Sequence, residues 1–402
     1  MTQQGTTATR ELSIGIAGFG MRASLWKYAH RPDDPTLPAR VTIICDPSER
    51  GQADARAALP EAEVTDDLDQ LLSSGIDAIL ITTPDDQHFP VALRALQAGV
   101  AVFCEKPLAI TIEDCDTLLQ TAYETGTRLY VGHNMRHMPV VRQMREIIAS
   151  GRIGEVQAIW CRHFVGNGGD FYFKDWHADR SRSTGLLLQK GAHDLDVIHW
   201  LAGGYSNTVS AMGELKVYGK IADHADHTSE RMWDWYDISN WPPTEQRGLN
   251  EVVDVEDISM MQMRLDNGVL ASYQQCHFAP DYWRNYTVIG NAGRIENFGD
   301  GPGDTIAIWD KRHEGYAEPD EKVTIGDGSS GGSHGGADPL LIGEFLNFVV
   351  NGGRTDTSPI AARQAVAAGC VATDSLRGDS SARPVPALAP ELIAYFENGQ
   401  SR

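Results

Sequence analysis

Apolar residues cluster in short runs at 12–17, 41–45, 78–83, 101–104 and 128–132. Such runs, without alternation, are strands buried on both faces. Between them lie segments with helical patterning at 21–30, 48–59, 68–73, 90–98 and 112–125, and a short strand at 63–65. Pro60 stops the second of these helices and Gly99 follows the fourth, the usual helix-ending residues. Strand–helix alternation with uniformly apolar strands predicts a parallel sheet covered on both faces.

After Asn134 the pattern changes. An amphipathic helix is expected at 139–149, a longer strand at 155–164 and a helix at 194–201. Strands at 258–265, 269–277, 286–289 and 305–309 follow, joined by turn signals such as Asp266-Asn267-Gly268. Adjacent strands without intervening helices predict an antiparallel sheet. The expected architecture is an α/β Rossmann domain at 1–133, followed by an α+β domain at 134–402 with a large, mainly antiparallel open sheet. Residues 205–250, with Trp233, Trp235 and Trp241, fit neither pattern, and 326–336 reads as a mobile Gly/Ser loop.

Composition narrows the partners. Hydrophobic residues are 42% and charged residues 22% of the 402, which excludes a disordered chain. The formal net charge of −21 repels phosphate backbones and anionic lipid heads, so neither nucleic acid nor membrane is an expected partner. The six cysteines show no C-x-x-C pair, and no secretory signal pattern opens the chain; a reducing, cytoplasmic setting is expected. The histidines form no H-E-x-x-H, so no metal is expected.

The chemistry begins at Gly15-Ile16-Ala17-Gly18-Phe19-Gly20-Met21-Arg22-Ala23, between the first strand and first helix. Gly18 permits a tight turn, Gly20 lets a pyrophosphate approach and Ala23 lets the helix pack closely. Gly18, Phe19, Gly20, Met21 and Arg22 are therefore candidate dinucleotide contacts, at the N-terminus of a helix. Asp46 ends the next strand, where an acidic residue accepts hydrogen bonds from the adenosine ribose. Its carboxylate favours NAD over NADP, although Ser48 and Arg50 are both able to hold a phosphate. A helix N-cap is the alternative role for Asp46.

Thr82-Thr83-Pro84-Asp85-Asp86-Gln87-His88 and Glu105-Lys106-Pro107 follow the next two strands, and with the glycine turn they resemble the Gfo/Idh/MocA family of oxidoreductases. Val131-Gly132-His133-Asn134-Met135-Arg136, Gly191-Ala192-His193-Asp194-Leu195-Asp196 and Gly290-Asn291-Ala292-Gly293-Arg294-Ile295-Glu296 extend the resemblance over nearly the whole chain. It implies a Rossmann domain plus an open-sheet domain, assembly into homodimers or homotetramers through the sheet, and a small-molecule substrate of the sugar or polyol class. It implies that Lys106 hydrogen-bonds the reacting oxygen, that Glu105 positions the nicotinamide region, and that Thr83, Pro84 and His88 line the cofactor pocket. A cap for the following helix is the alternative for His88.

His193 is the expected second proton-transfer group, suited to it near neutral pH. The family pattern D-x-x-x-H would place an aspartate at 189, where this chain has Gln189 followed by Lys190. Lys190 and His193 are therefore expected to bind substrate oxygens together, with Arg136, Trp176, His177, Gln189 and His334 as further substrate contacts. Asp196 matches a family position; Asp194 and His199 read as helix-capping or solvated groups. The expected activity is hydride transfer between NAD and a secondary alcohol. The competing activities are an NAD-using glycoside hydrolase or lyase with transient oxidation, and a non-catalytic NAD(H) sensor.

Overall fold

In the computed structural model of the chain, residues 10–326 and 334–401 are described. Most of the expected loop at 326–336 lies outside them. The first sheet contains β1 (Leu12–Ala17), β2 (Ala39–Cys45), β3 (Glu63–Thr65), β4 (Ala78–Ile81), β5 (Ala101–Cys104) and β6 (Leu129–Val131). Its order is β3-β2-β1-β4-β5-β6 and every pair is parallel. The reversal of order beside β1 opens a crevice at the carboxyl ends of the strands, the ligand position of doubly wound sheets.

The second sheet contains β7 (Val156–Phe164), β8 (Ser206–Glu214), β9 (Ile258–Leu265), β10 (Leu270–Cys276), β11 (Trp283–Gly290), β12 (Arg294–Phe298), β13 (Thr305–Trp309), β14 (Glu321–Thr324) and β15 (Arg383–Pro384). Their order is β14-β13-β12-β11-β7-β10-β9-β8-β15, antiparallel except for the parallel pair β7–β10. Helices Gly191–Ala202 and Pro359–Arg377 cover one face, through Leu195, Ile198, Ala365 and Ala368 against Ile159, Met261, Tyr273 and Tyr286. The other face stays open, with Trp160, Met212, Met260 and Leu270 exposed.

Three features differ from the sequence expectation. The helix expected at 21–30 is a 3₁₀ turn, Met21–Leu25, running into a four-residue helix, Trp26–Ala29. Such a short segment leaves much of that sheet face bare. Helix Ala337–Asn351 returns from the far end of the chain to cover it, placing Leu341, Ile342 and Phe345 against Ile14, Ile16 and Phe103. The segment at 205–250 supplies strand β8, next to the short edge strand β15, and then an excursion back to the first sheet. There Arg50 Nη1 donates to Ser229 O at 3.1 Å and to Asp234 Oδ2 at 2.6 Å, and Arg231 Nη2 donates to Phe19 O at 3.4 Å.

Candidate active site

The glycine turn and the end of β2 are tied together. Gly18 has a φ of +85°, and a Cβ there would lie 2.8 Å from the Thr83 nitrogen. Thr82 Oγ1 donates to Gly18 O at 2.6 Å. Asp46 accepts from the Phe19 N–H at 2.6 Å, and from the N–H and hydroxyl of Ser48 at 2.8 and 2.6 Å. The helix N-cap is Ser48, which accepts from the Gly51 N–H, so Asp46 does not fill that role. A Cβ at Gly51 would overlap the Asp46 carboxylate, so glycine there lets the helix approach the strand end.

At the end of β5, Glu105 receives Arg22 Nε at 2.7 Å and the Lys106 N–H at 3.1 Å. Arg22 also grips Asp338 at 3.0 Å, and Asp338 accepts from Asn134. The Arg22 guanidinium thus ties the first turn to Glu105 and to helix Ala337–Asn351. Both ring nitrogens of His88 face carbonyls, Pro107 O at 2.6 Å and Thr83 O at 3.0 Å. Burial opposes a charge on that ring, yet Cys104, Asp85 and the Pro107 carbonyl push its pKa up to about 10. His88 braces the two loops beside the cleft, while the residue capping the following helix is Gln87.

The Lys106–Pro107 peptide is cis. Lys106 Nζ donates to Gln189 O at 3.0 Å. Burial lowers its pKa, opposed by Asp85 and Tyr172 and reinforced by Lys190. Asp85 is itself buried, and its Oδ2 has no hydrogen-bond partner among the described residues. Burial raises its carboxyl pKa against the pull of His88, Lys106 and His177. Lys190 joins helices Leu186–Gln189 and Gly191–Ala202, with its amine 5.5 Å from the Tyr172 ring centroid. Burial, reinforced by Arg284, pushes its pKa down to about 7. His193 lies one turn further along the same helix and is buried. Lys106, Gln189 and Lys190 therefore meet at one place, with His193 on the adjoining helix.

Asp194 is a correction: it is fully buried rather than capping or solvated. It accepts from Tyr286 at 2.5 Å, Tyr273 at 3.0 Å and His163 Nδ1 at 3.0 Å, and pairs with Arg284 Nε at 3.0 Å. Burial opposes its charge, but Arg284 and His163 hold its pKa well below the usual range. His199 is likewise buried, with Nε2 against Ser206 Oγ at 2.9 Å. Arg136 is engaged by both oxygens of Asp196 at 2.7 Å and by Asp356 O, so its guanidinium braces the junction between the sheets. Trp176 stacks on His177 at 3.7 Å between centroids, and His177 Nδ1 bonds Asp175. The side chain of His334 lies outside the described residues.

Sequence reasoning missed Asp85, His163, Tyr172, His277 and Arg284. Asp85 sits inside a motif already singled out, next to Pro84. His163 and Arg284 stand in strands, Tyr172 ends a short helix and His277 follows a strand, and only tertiary contact joins them.

With this geometry in view, the chain is a Rossmann-type oxidoreductase with a second open-sheet domain. It belongs to the Gfo/Idh/MocA family: the model of the oxidoreductase family's NAD-binding Rossmann fold matches residues 12–133, and that of the GFO/IDH/MocA C-terminal domain matches 141–296. A 2,7-anhydro-N-acetylneuraminate hydratase of Mediterraneibacter gnavus is 34% identical over 178 residues, 44% of this chain and 46% of that protein. An inositol 2-dehydrogenase of Salmonella typhimurium is 29% identical over 201 residues, 49% of this chain and 56% of that protein. The chain thus spans about half the length of these two curated relatives. A levoglucosan dehydrogenase solved with NADH and levoglucosan has the same fold, with a TM-score of 0.74 at 21% identity over 94% of this chain and 100% of that one. Among the described residues no helix is long and apolar enough to cross a membrane.

A dinucleotide fits the residues present. A Cβ at Gly20 would meet nothing within 4 Å, so the turn is open where the pyrophosphate of such folds lies. The backbone N–H groups that follow, the Asp46 carboxylate and the Glu105–Lys106 loop edge the same crevice.

Proposed function

We propose that this protein is an NAD-dependent dehydrogenase that oxidises a secondary alcohol of a sugar, polyol or related compound. The observation that carries the reading is Lys106: a partly buried lysine whose amine has a lowered pKa, at the carboxyl end of a Rossmann strand, held by the Gln189 carbonyl. A bound nicotinamide supplies the hydride acceptor. Lys106 hydrogen-bonds the reacting oxygen and stabilises the charge that develops on it. His193 takes or returns the hydroxyl proton, and Lys190 and Gln189 orient the substrate's other oxygens. Glu105, fixed by Arg22, shapes the nicotinamide end, with Thr83, Pro84 and His88 along the wall. Trp176 and His177 border the substrate side.

NAD is favoured over NADP on two grounds. Asp46 repels a ribose phosphate, and Arg50, which would attract one, is engaged by Asp234. The open sheet face, with its exposed Trp160 and Met260, is the surface through which we place a homodimer or homotetramer, because an apolar sheet face calls for cover.

A second reading is kept because a hydratase stands among the relatives and Gln189 replaces the expected aspartate: transient oxidation and re-reduction of a sugar, with net elimination, hydration or hydrolysis. Absorbance of NADH over a panel of sugars and polyols separates the two. A dehydrogenase accumulates NADH; the transient-oxidation enzyme converts substrate without accumulating it. Tight NAD binding with no substrate converted by either route would refute both.

A further inference from the structure

The inner face of the second sheet has an imbalance of hydrogen-bonding groups. Arg284 of β11 and His163 of β7 are cross-strand partners, with His277 just beyond β10. All are buried. Arg284 Nη2, His163 Nε2 and both ring nitrogens of His277 lack a hydrogen-bond partner among the described residues. Lys190 approaches the same group from the helix junction and makes no hydrogen bond among the described residues, only its contact with the Tyr172 ring. Buried polar groups are normally satisfied, so a cluster of this kind points to a ligand.

The missing ligand's chemistry follows from the inventory. The Lys190 amine brings three donors when protonated and Arg284 Nη2 brings two. His163 donates through Nδ1 to Asp194, and burial and Arg284 push its pKa down to about 3, so its Nε2 only accepts. Burial likewise keeps His277 neutral, with one donor and one acceptor. Donors therefore outnumber acceptors. Water and hydroxyl groups add donors together with acceptors and leave that surplus standing. An ionised carboxylate adds acceptors only. The nearby anions do not correct it. Asp194 is engaged by Tyr273, Tyr286, His163 and Arg284 Nε. Asp300 accepts from the Tyr282 hydroxyl at 2.5 Å and lies 3.6 Å from Arg284 Nη1, not Nη2.

We infer that this wall is a carboxylate subsite, and that the substrate is a sugar or polyol bearing an acid group, held by Lys190 and Arg284 while Lys106 acts on its hydroxyl. This rests on the dehydrogenase reading of Lys106. In a chain with a net charge of −21, it is a local cationic recess for an anion, and charge-assisted bonds to carboxylate are among the stronger polar contacts.

The test is titration calorimetry on the full-length enzyme saturated with NAD, using glucuronate, galacturonate, gluconate and acetate against glucose, galactose and sorbitol. At least one sugar acid should bind about 10-fold or more tightly than its neutral counterpart, and Lys190→Met should weaken it by a similar factor. Lys190→Met is chosen because it keeps the aliphatic stem, whereas Arg284 also holds Asp194. Equal binding of acids and neutral compounds, no binding of any anion including acetate, or unchanged binding of acids to Lys190→Met would overturn the inference. NADH formation is read separately. Oxidation of a neutral polyol, with no sugar acid bound more tightly than its neutral counterpart, leaves the dehydrogenase standing and removes the subsite. Lys190-dependent binding of acids without oxidation does the reverse.

Discussion

Lys106 and Lys190 are two partly buried lysines close enough for the charge on Lys190 to lower the pKa of Lys106. Lys106→Ala removes the donor assigned to the reacting oxygen, so turnover should fall by about 10²-fold or more while NAD affinity measured by fluorescence stays near wild type. Lys190 has a stability signature of its own. Unfolded, it titrates at its ordinary 10.5; folded, at about 7. Between those values the unfolded chain binds more protons, so this position's contribution to stability improves as pH rises, and below pH 7 the full penalty of a buried charge remains. Lys190→Met should therefore raise the melting temperature of the ligand-free enzyme at pH 6, and by less at pH 9. An equal gain at both would show that Lys190 is not held at a depressed pKa. Asp194→Asn leaves Arg284 buried with only Asp300, 3.6 Å from its Nη1, as counter-charge, and should cost about 3–5 kcal/mol in urea unfolding. A loss under about 1 kcal/mol would show the pair to be solvated.

Elements, rather than single residues, decide how the cofactor cleft is closed off. The excursion after β8 brings Ser229, Arg231 and Asp234 against the glycine turn and the helix Glu49–Ala58. Its clearest consequence is the engagement of Arg50. Asp234→Ala releases that guanidinium at the ribose end, and NADP affinity relative to NAD should rise by about 2- to 5-fold, the scale of one surface ion pair. Fluorescence titration with both cofactors measures it. An unchanged ratio would show that Arg50 does not reach the ribose, and cofactor choice would rest on Asp46 alone. The short segment Met21–Ala29 and the helix Ala337–Asn351 are a second such pairing. The late helix covers the sheet where the first helix is too short, and its Asp338 holds Arg22 against Glu105.

At the scale of the molecule, the two sheets differ in cover. The parallel sheet has helices on both faces; the nine-stranded sheet has them on one. On its open face Trp160 stands opposite Thr287 and Ser272, and Met212 opposite Met260. Trp160→Glu places a charge in the middle of that face. The wild-type chain should show a dimeric or tetrameric mass by light scattering at micromolar concentration, and the variant should shift toward monomer. A monomeric wild type would remove the sheet-to-sheet assembly.

How much of this was legible in the residues follows from the range of the interactions. The buried strands of the parallel sheet, the turn at Gly18 and Gly20, Asp46 at the end of β2 and Lys106 at the end of β5 are local features, written in neighbouring residues, and sequence determined them. The Asp194 cluster was not legible: His163, Tyr273 and Tyr286 lie 31, 79 and 92 residues away from it, and an aspartate in the first turn of a helix reads as a surface group. Strand β8 was hidden because its segment carries no clean alternation, and the engagement of Arg50 because Asp234 is 184 residues distant. Local pattern sets which segments become strands and helices and where a turn must carry glycine. Which charged side chains end up buried together, and which helix covers which face, depends on how those segments pack, and only the tertiary structure decided it.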